Sequence, residues 1–169
     1  MADTKISSLD ATNREALRKK SLTPRGCLVG RSVDLTTINA SSGYTVPFDA
    51  ESYDTDGIHD NVTSNTRMTV PSGWSYARVG FNIFLTNVAV QEGCLVRVVH
   101  KNSAGVEQSR RGLPIQEGAN ADFTEWSTSG SSAPVAVSAG DYFELLLICN
   151  DTSISILASY TAFWMELLA

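Results

Sequence analysis

An all-β domain is predicted by three observations. Around residues 73–85 the chain alternates with period two: Val79, Phe81, Ile83 and Leu85 share one parity, while Arg78, Gly80, Asn82 and Thr86 fall mostly on the other. Such alternation marks a strand lying on a core with its other face partly wet. Similar segments recur down the chain, and no comparable helical run follows the first twenty-odd residues.

Taken in order, 27–35 is the first candidate strand and 43–49 the second. Residues 66–70 follow, closed by the turn signal Pro71-Ser72-Gly73. Residues 74–87 make the long strand. Residues 94–101 and 106–112 form a hairpin about Asn102-Ser103-Ala104-Gly105. Segments 123–127 and 134–137 are short and flank a Ser/Gly-rich loop; 141–150 and 154–168 complete the set. Short strands with turn signals between them suggest a sandwich, barrel or jelly roll.

Residues 1–25 read differently. Thr12-Asn13-Arg14-Glu15 has capping-box spacing, and Ala16 to Lys20 continue a short helix that is marginal alone. One reading is a solvated tail; the other is an arm ordered by docking. The arm holds six basic and three acidic side chains, which leaves seven basic and fifteen acidic for the rest of a chain of net charge −5. An acidic body argues against nucleic acid as a partner. No apolar run approaches the roughly 20 residues that span a bilayer, so no membrane is expected. No apolar leader is visible at the N-terminus, and folding in a cytoplasm is expected. Cys27, Cys94 and Cys149 each sit in an apolar run without a zinc-type spacing, and buried free thiols are the favoured reading.

The last two strong segments break the alternation. Tyr142-Phe143-Glu144-Leu145-Leu146-Leu147-Ile148-Cys149 is apolar on both parities over its second half, and Ala162-Phe163-Trp164-Met165-Glu166-Leu167-Leu168 is nearly so. A strand in a two-layer domain has one inner face, so a second apolar face needs another cover. An obligate oligomer supplies it; a loop or the N-terminal arm of the same chain is the alternative. Leu146, Ile148, Phe163, Trp164 and Met165 are the expected contact residues.

Three stretches of the middle of the chain share motifs with a known fold. They are Val46-Pro47-Phe48-Asp49, Tyr53-Asp54-Thr55-Asp56-Gly57-Ile58-His59-Asp60 and Arg67-Met68-Thr69-Val70-Pro71-Ser72-Gly73-Trp74-Ser75-Tyr76. Together they resemble the early part of a C1q/TNF-like jelly-roll domain. Val135 to Leu145, through Gly140-Asp141, is similar to the turn that feeds an apolar strand in that family, and the resemblance covers roughly residues 26–168. Ser72 separates the Pro-Gly that is adjacent in animal members, and Thr161-Ala162-Phe163-Trp164 stands where they often have glycine. The acidic loop looks more like phage and bacterial members. Met1-Ala2-Asp3-Thr4-Lys5-Ile6-Ser7-Ser8-Leu9 looks like the start of many tailed-phage structural proteins.

What the resemblance implies is a homotrimeric jelly-roll knob on a virion assembled in the host cytoplasm. Residues 1–25 would be its attachment to the major capsid protein or another virion protein, and 26–169 the domain. Lys5, Ile6, Leu9, Arg14, Leu17, Arg18 and Lys19 are the expected anchoring residues. A capsid decoration or head fibre is favoured over a tail-fibre knob that recognises a host surface glycan or protein, because no repetitive shaft is present.

No cofactor and no catalysis are expected. His59 and His100 have no nucleophile elbow nearby. Asp54, Asp56 and Asp60 put three carboxylates within seven residues, which is either a calcium loop or a plain Asp-Gly turn. Trp126 and Glu125, with Asp122, Phe123 and Thr128 nearby, form either a ligand loop or the plug of one end of the domain.

Overall fold

Alternating apolar side chains and closely spaced turn residues resolve into strands throughout the described residues, 25–89, 93–111 and 124–168 of a computed structural model; Arg110 and Arg111 are described by their backbone alone. In chain order the strands are β1 (Gly26–Gly30), β2 (Leu35–Ile38), β3 (Tyr44–Thr45), β4 (Ala50–Asp54), β5 (Arg67–Thr69), β6 (Tyr76–Thr86) and β7 (Cys94–Lys101). They continue with β8 (Glu107–Arg111), β9 (Trp126–Ser131), β10 (Val135–Ala136), β11 (Tyr142–Cys149), β12 (Ile154–Ile156) and β13 (Ala162–Leu168). The expected anchoring residues, Lys5 to Lys19, lie outside the described residues, as do Asp122 and Phe123.

Two antiparallel sheets share one core. The larger runs β2-β12-β6-β13-β1-β4. Its long strand β6 takes β13 and then β12 along one edge, and β10 and β9 along the other: Ala77 faces both Leu167 and Val135, and Leu85 faces both Ile156 and Trp126. The smaller sheet runs β3-β11-β7-β8, with β5 beside β11 on the edge that also carries β3. Among the described residues no helix is long and apolar enough to cross a membrane.

The inward parity is the one that alternation predicted. Ala77, Val79, Phe81, Ile83 and Leu85 of β6 meet Phe143, Leu145 and Leu147 of β11 in one buried cluster. Phe48 stacks on Phe163 across it, with ring centroids 5.6 Å apart. Burying each such side chain stabilises the fold by roughly 1.5–3 kcal/mol. Two expected strands are each divided. Residues 27–35 break at Gly30, and 154–168 break at a 3-10 turn, Ala158–Tyr160, that carries the chain from β12 to β13. Residues 128–131, read as loop, are strand because β9 pairs with β6 from Trp126 to Ser131.

Three expectations need correction. Phe163 and Met165 are 0% and 1% exposed within a single chain, so they belong to the core and not to a contact between copies. Leu146 and Ile148 do face outward, but on the smaller sheet, whereas Trp164 faces outward on the larger one. These three residues therefore do not lie on one face of the protomer. Part of the second cover of β11 comes from its own chain. The turn at Gly43 (φ +99°) is so close that a Cβ there would stand 3.3 Å from Leu146 Cδ1 and 3.9 Å from Ile148 Cγ1.

The cysteines depart from expectation too. Cys94 and Cys149 face each other in the β7–β11 register with Cα atoms 4.2 Å apart, and their sulfurs are bonded. Only Cys27 is a free, buried thiol; burial, then the nearby carboxylates of Asp54 and Glu51, push it up to about 12.

Candidate interaction surfaces

The outer face of the larger sheet carries a lateral row set by strand register: Tyr53 of β4 lies opposite Leu28 of β1, Leu28 opposite Trp164 of β13, and Trp164 opposite Gly80 of β6. Gly80 has no side chain, so the indole lies over it; a Cβ at Gly80 would overlap the Trp164 ring. One register step below, Arg78 Nη1 donates to Glu166 Oε2 at 3.2 Å, and beyond that pair Tyr76 stands beside Leu168. Tyr53 and Tyr76 are both close to half exposed. At the other end of the face, the rings of Phe84 and Tyr160 lie 5.4 Å apart, tilted by 40°. Along β6 the outer face thus alternates aromatic and polar levels: Tyr76, the Arg78–Glu166 pair, Trp164 over Gly80, Asn82, then Phe84.

The outer face of the smaller sheet has a different chemistry. Among the described side chains, strands β5, β7, β8 and β11 carry Arg67, Arg97 and Lys101 against Glu107 and Glu144, while the strands of the larger sheet carry Arg78 against Glu51, Asp54 and Glu166. Lys101 Nζ donates to Glu144 Oε2 at 2.6 Å, and that bond holds the ammonium above its ordinary range. The Arg67 guanidinium sits 5.0 Å from the Tyr142 ring centroid. Composition summed along the chain hides this segregation, because register decides which strands become neighbours.

The acidic loop does not make a cation site. Asp54 accepts the backbone N–H groups of Asp56 (3.1 Å) and His59 (2.9 Å). Asp56 accepts the Arg25 guanidinium and the Thr55 hydroxyl, and the Arg25 bond holds its carboxyl below the usual range. Asp60 accepts the Thr63 hydroxyl and the N–H groups of Thr63 and Val62, which hold it down at about 2. The three carboxylates are turned to three separate sets of protein donors. Among the described residues no group of three or more His, Cys, Asp or Glu converges. The calcium reading is therefore replaced by the turn reading.

Trp126 and Glu125 are corrected as a ligand loop. Trp126 is only 9% exposed and belongs to the core opposite Leu85, so it plugs the domain; Glu125 beside it is exposed. Each histidine is a structural link. His59 is buried with its ring nitrogens 3.2 Å from Glu51 Oε1 and 3.3 Å from Asn65 O. His100 is stacked on Phe143 at 4.6 Å and lies 3.1 Å from Asp141 Oδ2, which also accepts the Ser138 N–H. That contact ties the end of β7 to the turn leading into β11.

No family model and no curated sequence matches this chain. Solved structures do. The structure of Eiger TNF from S. frugiperda superposes with a TM-score of 0.54 at 13% identity, over 87% of this chain and 94% of that one. Murine APRIL superposes with a TM-score of 0.57 at 10% identity, over 86% and 100%. A chain of the infectious bursal disease virus Gt strain reaches 0.54 at 7% identity, over 86% of this chain and 33% of the other. At such identities the likeness is one of fold: a TNF-like jelly roll.

Proposed function

We propose that this TNF-like jelly roll is a non-enzymatic structural protein of a tailed-phage virion. It acts as a homotrimeric knob attached through residues 1–25 to the major capsid protein or another virion protein. It serves as a capsid decoration or head fibre, and needs neither nucleic acid nor membrane. The observation that supports self-association is the aromatic row Tyr53–Leu28–Trp164 on the outer face of the larger sheet. This row runs across three neighbouring strands on one outer face, and a second copy would cover it. The order of three and the virion setting come from the resemblance described above.

Light scattering of the purified protein tests the first half. The expected mass is that of three chains, and Trp164→Glu is expected to weaken association at least about tenfold, which corresponds to ~1.4 kcal/mol, by placing a charge in the apolar contact. A single-chain mass at micromolar concentration contradicts the reading. Removal of residues 1–25 tests the second half: the truncated protein should stay oligomeric and no longer join the particle. Full incorporation of the truncated form would leave the anchor without support. The alternative of a host-recognising knob loses Trp126 as its ligand residue, because that indole lies in the core.

A further inference from the structure

We infer that the open groove beside the Phe84–Tyr160 ring pair is a binding site for a neutral oligosaccharide. The groove lies on the outer face of the larger sheet, beyond the Trp164 row, with a volume of about 690 Å³. That falls within the range of small-ligand sites, roughly 300–1,000 Å³. Strand register builds it: Phe84 lies opposite Ser127 and Asn82 opposite Ser129, so two polar side chains of β9 and one of β6 stand on the same face as the aromatic ring. The 3-10 turn between β12 and β13 then brings Ser159 and Tyr160 against the same groove.

Three properties select the ligand. Tyr160 is 64% exposed, and its ring rests against Phe84 instead of entering the core. An amphipathic ring held in this way offers an apolar platform with a hydroxyl at its edge. The side chains of Asn82, Ser127, Ser129 and Ser159 have no hydrogen-bond partner among the described residues, so donors and acceptors stand free around that platform. No lining residue is Asp, Glu, Lys, Arg or His. An anionic or cationic ligand would find no counter-charge, and a wholly apolar one would strip water from hydroxyls without replacing it. A pyranose satisfies both demands: its C–H face stacks on an aromatic ring, and its rim of hydroxyls pairs with serines and asparagine. The inference is independent of where on a virion the protein sits.

Saturation-transfer NMR on the full chain tests it, with lactose, maltotriose and diacetylchitobiose as neutral probes and sialyllactose and a heparin oligosaccharide as charged ones. Saturation is expected to pass to the ring C–H protons of at least one neutral probe. Affinity for that probe should fall roughly tenfold in Tyr160→Ala, whose exposed ring contributes little to the core. Ser129→Tyr, which fills the groove from the opposite strand, should reduce it as well. Absence of transfer to every neutral probe overturns the inference, whether the groove has no affinity or neighbouring copies cover it. So does a preference for the charged probes, or wild-type binding by both variants. Oligomeric mass and particle incorporation are read separately on the same variants, so the sugar site and the virion role stand or fall apart.

Discussion

The two outer faces of the sandwich solve the same sequence problem in different ways. Strands β11 and β13 are both rich in apolar residues on both parities, and the outward residues of both are half-buried, but by different neighbours. On the smaller sheet the turn at Gly43 closes over Leu146 and Ile148, and charged neighbours such as Lys101 and Glu144 occupy the rest. On the larger sheet Trp164 folds over Gly80 and leaves an aromatic face between Tyr53 and Tyr160. A strand that is apolar on both sides therefore reports a need for cover without saying whether the cover is a loop, a neighbouring glycine or another molecule.

The sharpest break in that comparison lies between neighbours on β13. Phe163→Ala should destabilise each chain by about 3–5 kcal/mol, read by urea unfolding, whereas Trp164→Ala should affect association more than the fold of one chain. Equal loss of single-chain stability from both variants would erase the distinction between core and face. On the smaller sheet, reduction of Cys94–Cys149 closes off a constraint that spans 55 residues of chain and should lower stability by about 2–4 kcal/mol. Unfolding curves with and without reductant give the value, and an unchanged midpoint would mean that the bridge is dispensable.

A smaller effect is expected at the turn that covers β11. Gly43→Ala forces a side chain into φ +99° and against Leu146, at a cost of about 1–2 kcal/mol, measurable from the shift in denaturation midpoint. The smallest concerns the acidic loop. The folded carboxyl of Asp60 sits at about 2, below its ordinary value of 3.8, so the stability it lends is complete above 3.8 and lost as pH falls toward 2. Asp60→Asn should lower stability at neutral pH and flatten the profile in that window, so that variant and wild type converge as pH approaches 2. An acid profile identical to the wild type would contradict the role given to Thr63.

The strand pattern was legible wherever one face is wet, as in β6, because alternation is a property of the local chain. It failed where a turn residue decides the outcome. The break at Gly30 and the 3-10 turn before β13 are invisible to periodicity, and residues 128–131 became strand only through pairing with β6. The candidate sites fared unevenly for the same reason. Asp54, Asp56 and Asp60 are close in sequence, but the donors that claim them include Arg25, more than thirty positions away from Asp56.

The amino-acid sequence by itself determined an all-β domain, the inward parity of its long strand and the demand of β11 and β13 for cover on a second face. Those properties follow from the order of apolar and polar side chains along a backbone of period two. Only the tertiary structure decided that Cys94 meets Cys149, that Trp126 enters the core, and that basic residues gather on one sheet and aromatic ones on the outer face of the other. Each of these depends on the register between strands far apart in the chain, and register is fixed when two sheets close on a common core.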